Sequence, residues 1–226
     1  MKRAAVWIAL LAWTGADSSA RAGESAPVPP PAAGLSPFSL GAHLSYWNAK
    51  DLDEFDLDGM LGGGVIGRFR LHDYVGLELR LSGYAAGESE DVYVEGRGWY
   101  ESDLTVVAMP MECGLIGFLP LGDTFELYGG PGAGFYLFDG EYTVEQGPWE
   151  TTYDLDLDDE GGFYVLLGLR AELARNIALY AEAKYTWVET TLEALPRCSE
   201  CEDADEVDRD IDFSGLAVNF GMIFTF

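Results

Sequence analysis

Eight segments of this chain alternate apolar and polar residues with a period of two: about Phe38–Trp47, Gly62–Leu71, Tyr74–Gly83, Leu104–Phe118, Phe125–Phe138, Gly162–Leu173, Ile177–Val188 and Gly215–Phe226. Their connections alternate as well. Residues 71–74, 119–124 and 174–176 form short turns, whereas 48–61, 84–103, 139–161 and 189–214 are long and polar. An even number of antiparallel strands, with short turns at one rim and long loops at the other, is the pattern of a barrel that crosses a membrane. The expected fold is all-β, an eight-stranded antiparallel up-and-down transmembrane β-barrel.

The rest of the chain agrees with an exported protein. Met1-Lys2-Arg3 precedes an apolar stretch from Ala4 to Trp13, and small residues follow at Ser18, Ala20 and Ala22. That is the order of a signal peptide, assigned to residues 1–22. Residues 23–37 are rich in Pro and Ala without periodicity and read as a periplasmic linker. Residues 38–226 make up the barrel. No later run approaches the length of a spanning helix, so membrane residence requires closure of the sheet, which pairs every backbone group in lipid.

One parity of each strand is apolar, for example Val75, Leu77, Leu79 and Leu81, or Phe163, Val165, Leu167 and Leu169. The other parity carries Arg68, Arg70, Glu78, Arg80, Glu112, Glu126, Arg170, Glu172, Glu182 and Lys184. These charges sum to zero, which suits a lumen filled by paired side chains rather than an aqueous channel. Alternation alone leaves the faces interchangeable, and a lipocalin-like ligand carrier would place the apolar parity around a cavity. Three features favour lipid on the apolar side. The charged parity also holds the small residues Gly76, Gly130, Gly132, Gly134, Gly168 and Gly221, which fit a narrow interior. Tyr46, Phe69, Phe125, Phe163, Tyr185, Trp187 and Phe226 lie toward strand ends, as aromatic girdles do. The chain also stops on the last strand.

The formal charge of −26 resides in the four long connections, which hold thirty acidic residues against Lys50, Arg97, Arg197 and Arg209. Such a field repels nucleic acid and excludes a nucleic-acid role. Asp51, Asp53, Asp56 and Asp58, and likewise Asp154, Asp156 and Asp158, have the spacing of oxygen donors around Ca²⁺ or Mg²⁺. The sixth position counted from Asp154 is Asp159 rather than Gly, so weak, diffuse cation association is expected rather than an EF-hand site. Asp-Leu-Asp-Leu-Asp also reads as a strand continuing above the membrane. No firm metal site and no resident cofactor are expected.

Cys198 and Cys201 stand in the most acidic loop, and an oxidising compartment favours a disulfide between them. Cys113 falls on the apolar parity. His43 and His72 are the only histidines. His43, on the inward parity, is expected to bond a lumen carboxylate, and His72 sits in a turn. No nucleophile–base constellation can be assembled around either, so an enzyme is not expected.

Phe125-Glu-Leu-Tyr-Gly-Gly-Pro-Gly-Ala-Gly-Phe-Tyr136 and the hairpin from Phe163 through Arg175-Asn176 to Tyr185 resemble the small outer-membrane β-barrel superfamily of the OmpA-transmembrane, OmpW and opacity-protein type. This resemblance implies residence in a Gram-negative outer membrane as a monomer among lipid and lipopolysaccharide. It also implies that the terminal Phe226 is an assembly signal read by the barrel-assembly machinery. It does not specify activity. A structural or surface-interaction role with a plugged lumen is the primary expectation; a porin-like narrow channel for small or apolar solutes is the alternative.

Overall fold

The computed structural model describes residues 37–226 apart from 56, 58, 95–97, 147–148, 156 and 193–208. Residues 1–22 and nearly all of 23–37 lie outside these, as do Asp56, Asp58, Asp156, Cys198 and Cys201.

Eleven strands account for most of what is described: β1 (Phe38–Ala49), β2 (Met60–His72), β3 (Val75–Val94), β4 (Gly98–Leu121), β5 (Phe125–Gln146), β6 (Trp149–Leu155), β7 (Glu160–Ala174), β8 (Ile177–Trp187), β9 (Glu189–Leu192), β10 (Arg209–Asp212) and β11 (Gly215–Thr225). Eight of them close a ring in the order β1-β2-β3-β4-β5-β7-β8-β11, each antiparallel to both neighbours. The seam between β1 and β11 runs in register from Ser39 opposite Thr225 to Ala49 opposite Gly215. At its end the Phe226 amide donates to the Phe38 carbonyl, and the two rings stack 6.2 Å apart.

The two parities of the strands separate as the alternation requires. Leu79, Leu167 and Phe220 are 66%, 60% and 62% exposed, while their neighbours Arg80, Arg170 and Glu182 are buried. All seven aromatic residues assigned to girdles are exposed. The apolar parity therefore forms the outer surface of the ring, and the inverted, lipocalin-like arrangement is ruled out.

Two of the long connections differ from their expected form. Segments 84–103 and 139–161 are largely strand: β3 and β4 pair as far as Val94 opposite Gly98, and β5 and β6 pair from Gly140 opposite Leu155 to Gln146 opposite Trp149. Hydrogen bonding along a ladder does not depend on apolar alternation, so the hairpins continue past the point where side chains turn polar. β4 also pairs with β5 up to Glu101 opposite Glu145. The upper parts of β3, β4, β5 and β6 thus make a four-stranded sheet standing beyond the ring. β9 and β10 form a separate hairpin.

Candidate functional site

The interior is built in layers, starting at the rim with short turns. Nearest that rim, the Arg70 guanidinium donates to both carboxylate oxygens of Glu126 at 2.8 and 2.9 Å. Arg170 lies 3.6 Å from Glu126 and 3.4 Å from Glu172. Arg70 also covers the Phe118 ring at 4.1 Å.

Deeper in the wall, six charges interlock. Arg68 donates through Nε to Glu78 at 2.7 Å and lies 3.5 Å from Glu182. Arg80 donates to Glu78 at 2.9 Å, pairs with Glu182, and holds Nε 3.8 Å from Glu112. Lys184 donates to both oxygens of Glu112 at 2.6 and 2.8 Å. All six side chains are buried, three of each sign, so the layer is neutral by itself. Neutral donors add to it: Tyr128 and Asn219 donate to Glu182 at 3.0 and 2.7 Å, and Tyr136 donates to Glu112 at 2.6 Å. Buried carboxylates and cations persist only when paired and hydrogen-bonded in this way. The structure thus brings the ten inward charges together as two groups, one of six and one of four.

Glycines make room for the rings in this layer. Tyr128 stands directly opposite Gly168, Tyr164 opposite Gly132, Tyr180 opposite Gly221 and Tyr84 opposite Gly62. A Cβ on Gly168 would lie 2.4 Å from the Tyr128 ring, and one on Gly132 would lie 2.2 Å from the Tyr164 ring. Each tyrosine occupies the space its cross-strand partner leaves empty, which fills the interior without widening the ring.

Above the charges lies an apolar cluster that was not anticipated: Trp47, Leu52, Leu57, Met60, Tyr84, Val106, Phe138, Leu157 and Phe213 pack with Ala49, Ala108, Tyr136, Val188, Ile211 and Ala217. The signal for it was present in the inward parity, which turns apolar at Trp47, Tyr84, Val106 and Phe138 near the long-loop rim. A turn of 3-10 helix, Lys50–Phe55, closes over this cluster. It is stitched down by Lys50 to Asp212 at 2.5 Å and by the Asp212 amide donating to Asp51 at 2.9 Å. Partial burial pushes the Asp212 carboxyl up, but hydrogen bonds from Lys50 and Ser214 outweigh it and hold the group below its ordinary value. The same contact raises the Lys50 ammonium.

The other singled-out residues fall as follows. His43 meets Ser82 at 3.3 Å rather than a carboxylate, because the lumen carboxylates are already taken by Arg68, Arg80 and Lys184. His72 accepts from the Tyr74 amide at 3.4 Å. Cys113 is a free thiol on the outer surface. Asp51 lies within the 3-10 turn and accepts from the Asp212 amide, and Asp154 lies on β6. Among the described residues no group of three or more acidic, His or Cys side chains could hold a metal ion.

The profile of the family described as "Outer membrane protein beta-barrel domain" matches residues 18–224. The fold is similar to that of the outer membrane protein OprG from Pseudomonas aeruginosa, with a TM-score of 0.60 and 16% identity, over 85% of this chain and 96% of that one. It is also similar to the outer membrane protein AlkL solved in DMPC bilayers, with a TM-score of 0.51 and 12% identity, over 90% of this chain and 96% of that one. No curated protein matches the sequence.

Proposed function

The chain belongs to the outer membrane protein β-barrel domain family, and on that premise we propose that it is a closed scaffold whose working surface is the acidic sheet beyond its long-loop rim. The supporting observation is the layer of Arg68, Glu78, Arg80, Glu112, Glu182 and Lys184, whose ion pairs cross the lumen from several strands. An ion crossing this layer would have to separate charges held at hydrogen-bond distance, and a buried charge parted from its partner is costly. The cluster above it carries no charged side chain to offer in exchange. In this reading the short turns face the periplasm and the hairpins face outward, residues 1–22 are removed on export, and the mature chain is a monomer in lipid and lipopolysaccharide, delivered by the assembly machinery through Phe226. The acidic loops repel polyanions, and divalent cations associate with them only weakly. No catalytic role is included: the His43–Ser82 contact is buried, and the second His43 nitrogen has no hydrogen-bond partner among the described residues.

Planar-bilayer recording tests the proposal. The purified protein should give no steady conductance steps; reproducible single-channel steps would overturn it. A second reading, passage of small apolar solutes, draws on the apolar cluster around Trp47 and Phe213, which would give such a molecule a favourable environment at the long-loop rim. Protein-dependent uptake of an apolar dye into vesicles, in the absence of ion conductance, would favour that reading.

A further inference from the structure

Tyr93 and Trp99 stand opposite each other at the tip of the β3–β4 hairpin, their rings 5.2 Å apart. They are 59% and 67% exposed. They do not belong to a membrane girdle: the continuous run of large exposed apolar residues on that face of β3 ends at Leu81, and Tyr93 lies on the order of 40 Å further along the strand at ~3.3 Å per residue. Two large aromatic rings held in water this far from lipid mark a binding surface.

The rows below them on the same face are acidic. Asp91 stands opposite Glu101, and Glu101 opposite Glu145. Asp103 stands between Ser89 and Thr143, and Glu141 between Thr105 and Asp154. A groove of about 460 Å³ is lined by Ser89, Asp103, Thr105, Glu141, Thr143 and Glu145. Like charges directly opposite one another are unfavourable; segments 84–94, 98–107 and 139–161 contain no Lys or Arg, and Arg97, in the link between β3 and β4, is a single positive charge against these rows. A polycation from outside the sheet would offset the remainder. A metal ion does not fit, since no three of the described carboxylates are grouped closely enough to ligate one.

The geometry of the rows fits a polypeptide. Successive rows are two residues apart along the strand, the same repeat of about 6.6 Å at which alternate side chains of an extended chain project. Basic side chains at every second position would meet the carboxylate rows, and one more would lie over the aromatic pair, whose ring faces attract cations.

We propose that Tyr93 and Trp99, with Asp91, Glu101, Asp103, Glu141 and Glu145 below them, form a docking face for an extended Lys/Arg-rich polypeptide. This rests on the reading of the hairpins as the outward working surface of a closed barrel. The test uses the full protein in lipid nanodiscs and a fluorescent dodecapeptide of alternating Arg and Ser. The peptide should bind, and binding should weaken at least tenfold both in the Y93A/W99A double variant and in the D91N/E101Q/E145Q triple variant. The E189Q/D210N variant, on the separate β9–β10 hairpin, should bind as the parent does. Heat-modifiable migration in gels reports that each variant is folded. Absence of binding, equal loss in E189Q/D210N, no loss in Y93A/W99A, or binding of a neutral chito-oligosaccharide in place of the peptide would each overturn the proposal. Failure to bind by a barrel that is silent in planar bilayers removes the docking face alone; a conducting barrel that binds the peptide removes the closed-scaffold reading alone.

Discussion

Lys184 on β8 and Glu112 on β4 stand three strands apart in the ring, yet the ammonium lies 2.6 and 2.8 Å from the two carboxylate oxygens. The contact therefore spans the lumen rather than running along the wall. It fixes the separation of two strands that share no backbone hydrogen bonds, and through Arg80 it joins the Glu78 and Glu182 pairs into one unit.

Removing one end of this strut should cost far more than removing both. Lys184→Met leaves the buried Glu112 carboxylate without its cation and is expected to destabilise the barrel by about 3–5 kcal/mol. The K184M/E112M double variant should recover a large part of that loss, the coupling expected of groups in direct contact. Urea unfolding in detergent, followed by gel migration, measures both. Arg80, fully enclosed among Glu78, Glu182 and Glu112, should be at least as sensitive as Lys184, and more so than Arg170, which lies nearer the rim and whose side chain keeps 10% exposure against 0% for Arg80.

The glycine–tyrosine pairs give a steric prediction. Gly168→Ala places a methyl group 2.4 Å from the Tyr128 ring, and overpacking of this kind costs about 1–3 kcal/mol. Gly161→Ala, on the neighbouring stretch of the same strand, meets nothing within 4 Å and should change stability by no more than about 0.5 kcal/mol. The same unfolding assay compares the two.

Cys113 faces outward beside Leu79 and Ala133. In a C198S/C201S background its thiol should react with a lipid-soluble maleimide in bilayers and remain inert to a charged, water-soluble one. Mass spectrometry of the intact protein reads both reactions.

The clamp on the 3-10 turn has a pH window. Asp212 has a carboxyl pKa below its ordinary 3.8, so its contribution is present above that value and is lost as the pH falls through the lower, folded value. Lys50 has an ammonium pKa above its ordinary 10.5, so its contribution is complete below 10.5 and is lost as the pH rises through the folded value. The turn should therefore stay docked between about pH 4 and 10. Protease nicking within Lys50–Phe55 should be constant across that range with acid- and base-tolerant proteases, and Asp212→Asn should raise it at neutral pH.

Much of the ring was legible because lipid and lumen impose opposite demands on alternate residues: Leu79 and Arg80, or Leu167 and Gly168, differ in the way a two-sided wall requires. Where water bathes both faces, the code weakens. Segments such as Glu88-Ser-Glu-Asp91 carry no apolar parity, although they sit in ladders as regular as those in the membrane. Leu155 and Leu157 did carry a signal, since Asp154-Leu155 belongs to β6 and Leu157 is buried in the apolar cluster. The same alternation places aspartates at metal-ligand spacing, so the two interpretations compete in sequence. The partners within the lumen were not legible either. Neutrality can be counted from a sequence, but that Lys184 meets Glu112 while His43 is left to Ser82 depends on which side chains cross the ring.

The lysines provide the most direct test of a sealed lumen. Beyond Lys2, in the segment read as a signal peptide, the chain has only Lys50, largely exposed at the long-loop rim, and Lys184, buried against Glu112. Acylation of the folded protein in bilayers with a water-soluble amine-reactive ester, followed by peptide mass spectrometry, should modify Lys50 and leave Lys184 untouched until the protein is unfolded. Modification of Lys184 at a rate comparable to Lys50 would mean that water reaches the centre of the barrel, and would contradict the closed scaffold.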